Sequence, residues 1–167
     1  LIDTFFILSE STMAHFGKTY LELLFNNFIR CIGDDFTPLA PEVVKEFSSD
    51  CCVKQPIHGN YTACSYISMD EATALEFASR YANDYFDEYN EYVSAAIEDL
   101  LNLHNGVFIV NASNYDSNEL SIGTIEFHDN TILSFERPAF VFPICYPFGN
   151  IYFIMEIVSL TGSKFID

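Results

Sequence analysis

Residues 138–155 read PAFVFPICYPFGNIYFIM, 18 consecutive positions without a charged side chain. A helix of that length would nearly cross the hydrocarbon core of a bilayer. Pro138, Pro143, Pro147 and Gly149 argue against one, because a proline inside a helix costs about 3 kcal/mol. Two strands, residues 139–145 and 150–158, turning at Pro147-Phe148-Gly149, account for the same residues. Phe140, Phe142 and Ile144 alternate with Ala139 and Val141, so both faces of the hairpin are apolar and both are expected to be covered. The stretch is read as core, not as a membrane span.

Working outward, residues 49–57 and 61–69 predict a second hairpin, joined by His58-Gly59-Asn60. Residues 36–44 contain Pro38 and Pro41, which favour an extended edge or connection. Residues 107–111 and 120–127 are predicted as further strands. Helical spacing of Phe16, Tyr20, Leu23, Leu24 and Phe28 predicts a first helix over 13–28. Asp70 is placed to cap a helix over 71–85, whose apolar stripe is Ala74, Leu75, Ala78, Tyr81 and Ala82. A further helix is predicted from about Asp87 to His104, stopping at Asn105-Gly106. No repeat, low-complexity tract or long linker interrupts residues 1–167, which are read as a single domain. Hairpins and paired helices without βαβ alternation predict an α+β fold, an antiparallel β-sheet built from hairpins and packed against two long consecutive helices.

Composition narrows the function. The chain has 167 residues with 17 Phe and 10 Tyr, enough for a large core. Its 24 acidic and 7 basic residues give a net charge of −17. Nucleic acid, bound chiefly through Lys and Arg on phosphates, is excluded as a partner, and so is an anionic membrane surface. The cysteines Cys31, Cys51, Cys52, Cys64 and Cys145 are odd in number and show no CxxC spacing, so they predict reduced thiols and a cytoplasmic location. Residues 1–8 carry Asp3 where a basic segment should stand and are not read as a secretory signal. Position 1 is Leu rather than Met, which leaves open whether the chain is a processed or engineered fragment.

Several eye-catching residues have plain explanations. His15, His58, His104 and His128 lack metal-ligand spacing, and His104 falls on an apolar helix face. Strand alternation sends Cys51 and Cys52 to opposite faces, so at most one can serve a cleft. Asp84, Asp87, Glu88 and Glu91 suit a solvated helix start, or the selection of a basic patch on a partner. Asn111, Ser113 and Asn114 read as turn residues. A small-molecule sensor using the aromatic core is a third, minor possibility.

The helix over 87–104 is the chemical candidate. Tyr89, Val93, Ala96, Ile97, Leu100, Leu103 and His104 share one face, predicted to pack on the sheet. Asp99 and Asn102, three apart, are neighbours about 4.5 Å apart along the axis on the other side, with Ala95 a turn below and Gly106 a turn above. Outward polar residues on a helix are ordinarily just solvated, and the spacing alone selects no chemistry.

Read as Ala95-Ala96-Ile97-Glu98-Asp99-Leu100-Leu101-Asn102-Leu103-His104-Asn105-Gly106, this helix resembles the signature helix of the CheC/CheX class of chemotaxis phosphatases. That family's pattern is Asp or Ser, three residues, Glu, two residues, Asn, with Gly four further on. The order of elements is similar over about residues 28–158, including Leu120-Ser121-Ile122-Gly123 and a terminal hairpin around Phe148-Gly149. The likeness is to the single-site CheX branch, because the preceding helix offers Glu76 with Ser79, not Asn, three later. Asp99 stands where the family has Glu, and Ala95 where it has Asp or Ser. Sliding the frame to Glu98 would put Leu101 at the Asn position, and that register is rejected.

The resemblance implies that Asn102 orients a water and that Asp99 anchors a partner through a Lys beside its phosphoaspartate. Ala95, Glu98 and Gly106 would join Asp99 at the partner-binding surface. The implied partner is a phosphorylated response regulator of the CheY-like receiver type, which brings its own Mg²⁺; no cofactor or metal of the chain's own is expected. Two activities remain open: an aspartyl-phosphate phosphatase, and a non-catalytic adaptor that docks receivers or flagellar switch components. A homodimer through a sheet edge is also implied.

Overall fold

A computed structural model describes residues 12–59, 61–115 and 120–160. The predicted non-signal at residues 1–8 and the turn residue Asn60 lie outside the described residues. The chain forms α1 (Thr12–Cys31), β1 (Thr37–Pro38), β2 (Glu42–His58), β3 (Tyr61–Met69), α2 (Glu71–Ala82), α3 (Glu91–Tyr115), β4 (Ser121–Ile122), β5 (Glu126–Tyr146) and β6 (Gly149–Leu160). Every described strand pairing is antiparallel, in the order β1-β5-β6-β3-β2-β4. The fold is therefore α+β with an antiparallel sheet, as predicted.

β2 and β5 are long enough to pair with each other as well as with β3 and β6, so the ladder β5–β6–β3–β2 returns to β5. This closure explains why the residue 138–155 hairpin is apolar on both faces. Phe140, Phe142 and Ile144 join a core beneath the helices, while Ala139 and Val141 join a second cluster with Cys52, Tyr66, Phe135 and Ile154. The β5–β6 turn requires glycine at its third residue. Gly149 has φ of 152°, and a Cβ there would overlap the Thr73 side chain.

Among the described residues, three helices cover the first core, and α3 packs against both α1 and α2. Tyr20, Leu24 and Phe28 from α1, Phe77 from α2, and Ile97, Leu100 and Phe108 from α3 are buried there with Phe153. The expected pair of long consecutive helices is corrected: α2 has 12 residues, and the long helices are α1 with 20 and α3 with 25. Asp70 caps α2 as expected, its Oδ1 accepting from Thr73 N at 2.7 Å. The helix stops at Ala82, not at Tyr85, because Asn83 turns left-handed (φ 52°) and donates to the carbonyls of the last turn. Asp84, Asp87 and Glu88 consequently lie in the connecting loop, and only Glu91 is in the first turn of α3. Asn90 caps that turn, its Oδ1 accepting from the backbone of Tyr92 and Val93.

The largest departure is at the end of α3. Asn105-Gly106 does not stop the helix, and 107–111 is helix, not strand; Asn111, Ser113 and Asn114 are helical too. Asn105 is fully buried, with its amide hydrogen-bonded inside the core, so it does not stand at a chain exit. The apolar face is also rotated slightly from expectation: Leu103 is exposed and Leu101 is fully buried in its place. The predicted strand over 120–127 is broken into β4 and the start of β5 by Gly123-Thr124-Ile125. β2 begins at Glu42, seven residues earlier than the pattern suggested, because its outer half is an exposed ribbon paired with β5.

Candidate functional site

α3 presents Ala95, Asp99 and Asn102 as exposed side chains on the face away from the core, with Glu98 half-buried beside them. An open cavity of about 1040 Å³ spans this face, and Ala95, Glu98, Asp99 and Asn102 all line it. One wall comes from the end of α2 and its following loop, with Tyr81, Asp84 and Phe86. The opposite wall is the β4–β5 connection, Gly123 to Ile125, and Gln55 reaches in from β2. Gly106 is half-buried, with nothing within 4 Å of where its Cβ would stand, and is not among the lining residues. Leu101, which the rejected register would have made the amide position, is buried.

Each of the two central side chains is held by a residue from another element. Tyr81 on α2 donates its hydroxyl to Asp99 Oδ2 at 2.6 Å. Burial, then the bond to Asp99 and that carboxylate's charge, push the Tyr81 phenol well above its ordinary range, so it remains a donor. Gln55 Nε2 donates to Asn102 Oδ1 at 2.9 Å and to the Gly123 carbonyl at 3.1 Å. Pairing of β2 with β5 ends at Lys54 and pairing with β4 begins at Ile57, which opens room for the Gly123 loop. Pro56 sits in that gap, and its carbonyl accepts from Gly123 N at 2.8 Å. Gly123 must lack a side chain, since a Cβ would come within 2.5 Å of Pro56 Cγ.

Electrostatically the cavity is one-signed. Asp84, Glu98 and Asp99 line it, and among the described residues no Lys, Arg or His does. A bare phosphoryl group would be repelled, whereas a ligand that carries its own cation would be attracted. The site's chemistry is that of an acid and an amide: the acid can accept from an ammonium, and the amide can donate to and accept from a water. Among the described residues, no three His, Cys, Asp or Glu side chains converge as a metal-binding group.

The other candidates are structural. His104 is fully buried with Nδ1 at 3.1 Å from Asn27 Nδ2, and burial pulls its pKa down to about 3, so it stays neutral. Cys51 and Cys52 do fall on opposite faces, in the first and second core clusters. Burial pushes their thiols up to about 11 and about 12, away from reactivity. Sequence reasoning placed Tyr81 in the apolar stripe of its helix and passed over Gln55. A signal for the latter existed: Cys51, Val53 and Ile57 face the helix-side core, and Gln55 is the polar residue in their row.

No protein-family model matches the sequence, and no curated protein matches it. Solved structures do. A CheX chemotaxis protein from Desulfovibrio desulfuricans superposes with a TM-score of 0.73 at 14% identity, over 86% of this chain and 99% of that one. A CheC-like superfamily protein from Shewanella gives 0.74 at 16% identity, over 86% and 97%. CheX in a CheX–CheY–BeF3–Mg²⁺ complex from Borrelia burgdorferi gives 0.73 at 17% identity, over 86% and 98%. No described helix is long and apolar enough to cross a membrane.

Proposed function

Starting from a CheX-like fold, we propose that the chain binds a phosphorylated CheY-like receiver over the Asp99–Asn102 face and promotes hydrolysis of its aspartyl phosphate. The observation that carries this reading is the side-by-side exposure of an acid and an amide in an open cavity, each steadied by a neighbouring element. The CheY complex of the Borrelia burgdorferi structure supports the choice of partner class.

An aspartyl phosphate is an activated acyl phosphate, so the remaining task is to put water in line with phosphorus. The Asn102 NH₂ group donates to the water oxygen, leaving a lone pair for attack. The P–O bond to the aspartyl carboxylate breaks, the carboxylate leaves with the electron pair, and the water proton passes to the phosphoryl oxygens or solvent. Asp99 accepts from the receiver's Lys and sets the depth of docking. The receiver's own Mg²⁺ neutralises charge on the phosphoryl group. Each tenfold acceleration needs about 1.4 kcal/mol, within the reach of one oriented hydrogen bond.

The test is to mix the protein with a panel of phosphorylated receiver domains and time their decay. Acceleration by wild type that is lost in Asn102→Ala is expected; equal decay with both removes the catalytic role. A second reading, a non-catalytic adaptor, draws on the shortened acid at Asp99 and its bond to Tyr81. It predicts receiver binding that is sensitive to Asp99→Ala, with no acceleration. We also propose that the chain forms a homodimer through the ribbon of residues 42–50 and 126–135, whose described strands pair on one side only. A monomer in sedimentation at micromolar concentration would count against it.

A further inference from the structure

We propose that Gln55 is a positioning residue that fixes which end of the Asn102 amide faces the cavity, through a chain of hydrogen bonds anchored in the core. The chain begins at the Gly123 carbonyl, which can only accept. It therefore demands the NH₂ group of Gln55, 3.1 Å away. That same NH₂ group donates to Asn102 Oδ1 at 2.9 Å. With its amide so oriented, Gln55 turns Oε1 inward, where Asn105 Nδ2 donates to it at 2.8 Å. Asn105 Nδ2 also donates to Ser65 Oγ at 2.9 Å, and Asn105 Oδ1 accepts from the Tyr20 hydroxyl on α1. Ser65 Oγ closes the circuit by donating to the Gln55 backbone carbonyl at 3.3 Å.

Every donor and acceptor in this circuit is consistent with one orientation of all three amides. Reversing Gln55 alone would set Oε1 against two oxygens and its NH₂ against the NH₂ of Asn105. Gln55, Ser65, Asn105 and Tyr20 are all buried, so water is not at hand to replace a lost partner. Asn102 alone in the circuit is exposed. Its Oδ1 is drawn toward Gln55 and its NH₂ is left toward the cavity, so the group offered to an incoming water is a donor.

This inference rests on the hydrolysis reading for its kinetic consequence, but its geometric content does not. In Gln55→Met, which keeps the volume and removes both donors, kcat for receiver dephosphorylation should fall about tenfold with KM unchanged, because docking through Asp99 is untouched. Gln55→Glu should be impaired at neutral pH and recover toward wild type as pH falls, when its protonated carboxyl regains a donor. The same proteins, labelled with ¹⁵N and free of any receiver, give the independent readout. The Asn102 side-chain amide should be ordered in wild type and lose order in Gln55→Met, while the amides of 71–82 keep theirs. Equal order of that amide in wild type and Gln55→Met, or a rise in KM with kcat retained, overturns the positioning role. A wild type that fails to hasten receiver decay while the amide still loses order in the variant sinks the hydrolysis reading and leaves the geometry standing.

Discussion

α2 and α3 pack side by side and each carries an acid followed three residues later by a hydrogen-bonding side chain, yet only the α3 pair lines the cavity. On α2, Glu76 Oε1 accepts from Arg80 Nε at 3.1 Å, and Arg80 also donates to Asp35 Oδ1 at 2.8 Å. Ser79 donates to the Leu75 carbonyl at 2.8 Å and accepts from Phe86 N at 3.2 Å. Both side chains are spent on holding α2 and the loop after it. On α3, Asp99 and Asn102 receive bonds from Tyr81 and Gln55, on other elements, and still line the cavity. Spacing of three along a helix is therefore no signature by itself. What distinguishes the two pairs is whether the holding groups come from the pair's own helix and the loop that follows it, consuming the pair, or from other elements, presenting the pair.

The sharpest way to break this contrast is to remove the two hydrogen-bonding members. Asn102→Ala should lower the rate of receiver dephosphorylation about a hundredfold, the scale of one oriented donor in a transition state. Ser79→Ala should change it by less than about twofold, and single-turnover decay curves read both. Next in size is the acidic pair. Asp99→Ala should raise KM about tenfold, as expected for loss of one charge-assisted bond to a partner. Glu76→Ala should leave KM alone and cost at most about 1 kcal/mol of stability, since its ion pair is solvent-exposed. Equal effects of Asp99→Ala and Glu76→Ala on KM would abolish the distinction. Tyr81→Phe, which frees Asp99 from its only interhelical donor among the described bonds, should raise KM about threefold, measured by receiver titration.

The smallest effect on activity is expected on the opposite face of α3, where the consequence is for stability instead. His104 is held neutral, its pKa pulled down by burial to about 3, against about 6.5 in the unfolded chain. Above pH 6.5 both states are neutral and the residue costs nothing. As pH falls below 6.5, the unfolded state takes up a proton that the folded state refuses, and stability drops by as much as about 1.4 kcal/mol per pH unit until the folded group titrates. Urea unfolding of wild type and His104→Gln, compared at each pH, should show the variant losing less stability between pH 6.5 and 3. Activity at neutral pH should be the same in both.

Much of this was legible in the residues, and the failures share a cause. The two hairpins and the Asp70 cap follow from short-range patterns, and the outward placement of Asp99 and Asn102 follows from helical spacing alone. The continuation of α3 was hidden because Asn105-Gly106 has the composition of a helix stop. Only the distant partners Tyr20, Gln55 and Ser65 make Asn105 a core residue instead. Closure of the sheet between β2 and β5 was equally invisible, since the outer half of β2 is mostly exposed and lacks the alternation that marks a half-buried strand. Gln55 and Asn102 are 47 positions apart, and no local pattern joins them.

The most direct test is a titration of ¹⁵N-labelled protein with receiver domains activated by beryllofluoride and Mg²⁺, following side-chain and backbone amides together. The Asn102 side-chain resonances and the backbone of residues 95–102 should move along one saturating curve, while residues 76–80 stay where they are. Saturable binding that leaves Asn102 unmoved, or that shifts 76–80 in its place, would contradict a receiver seated on the acid-and-amide face of α3.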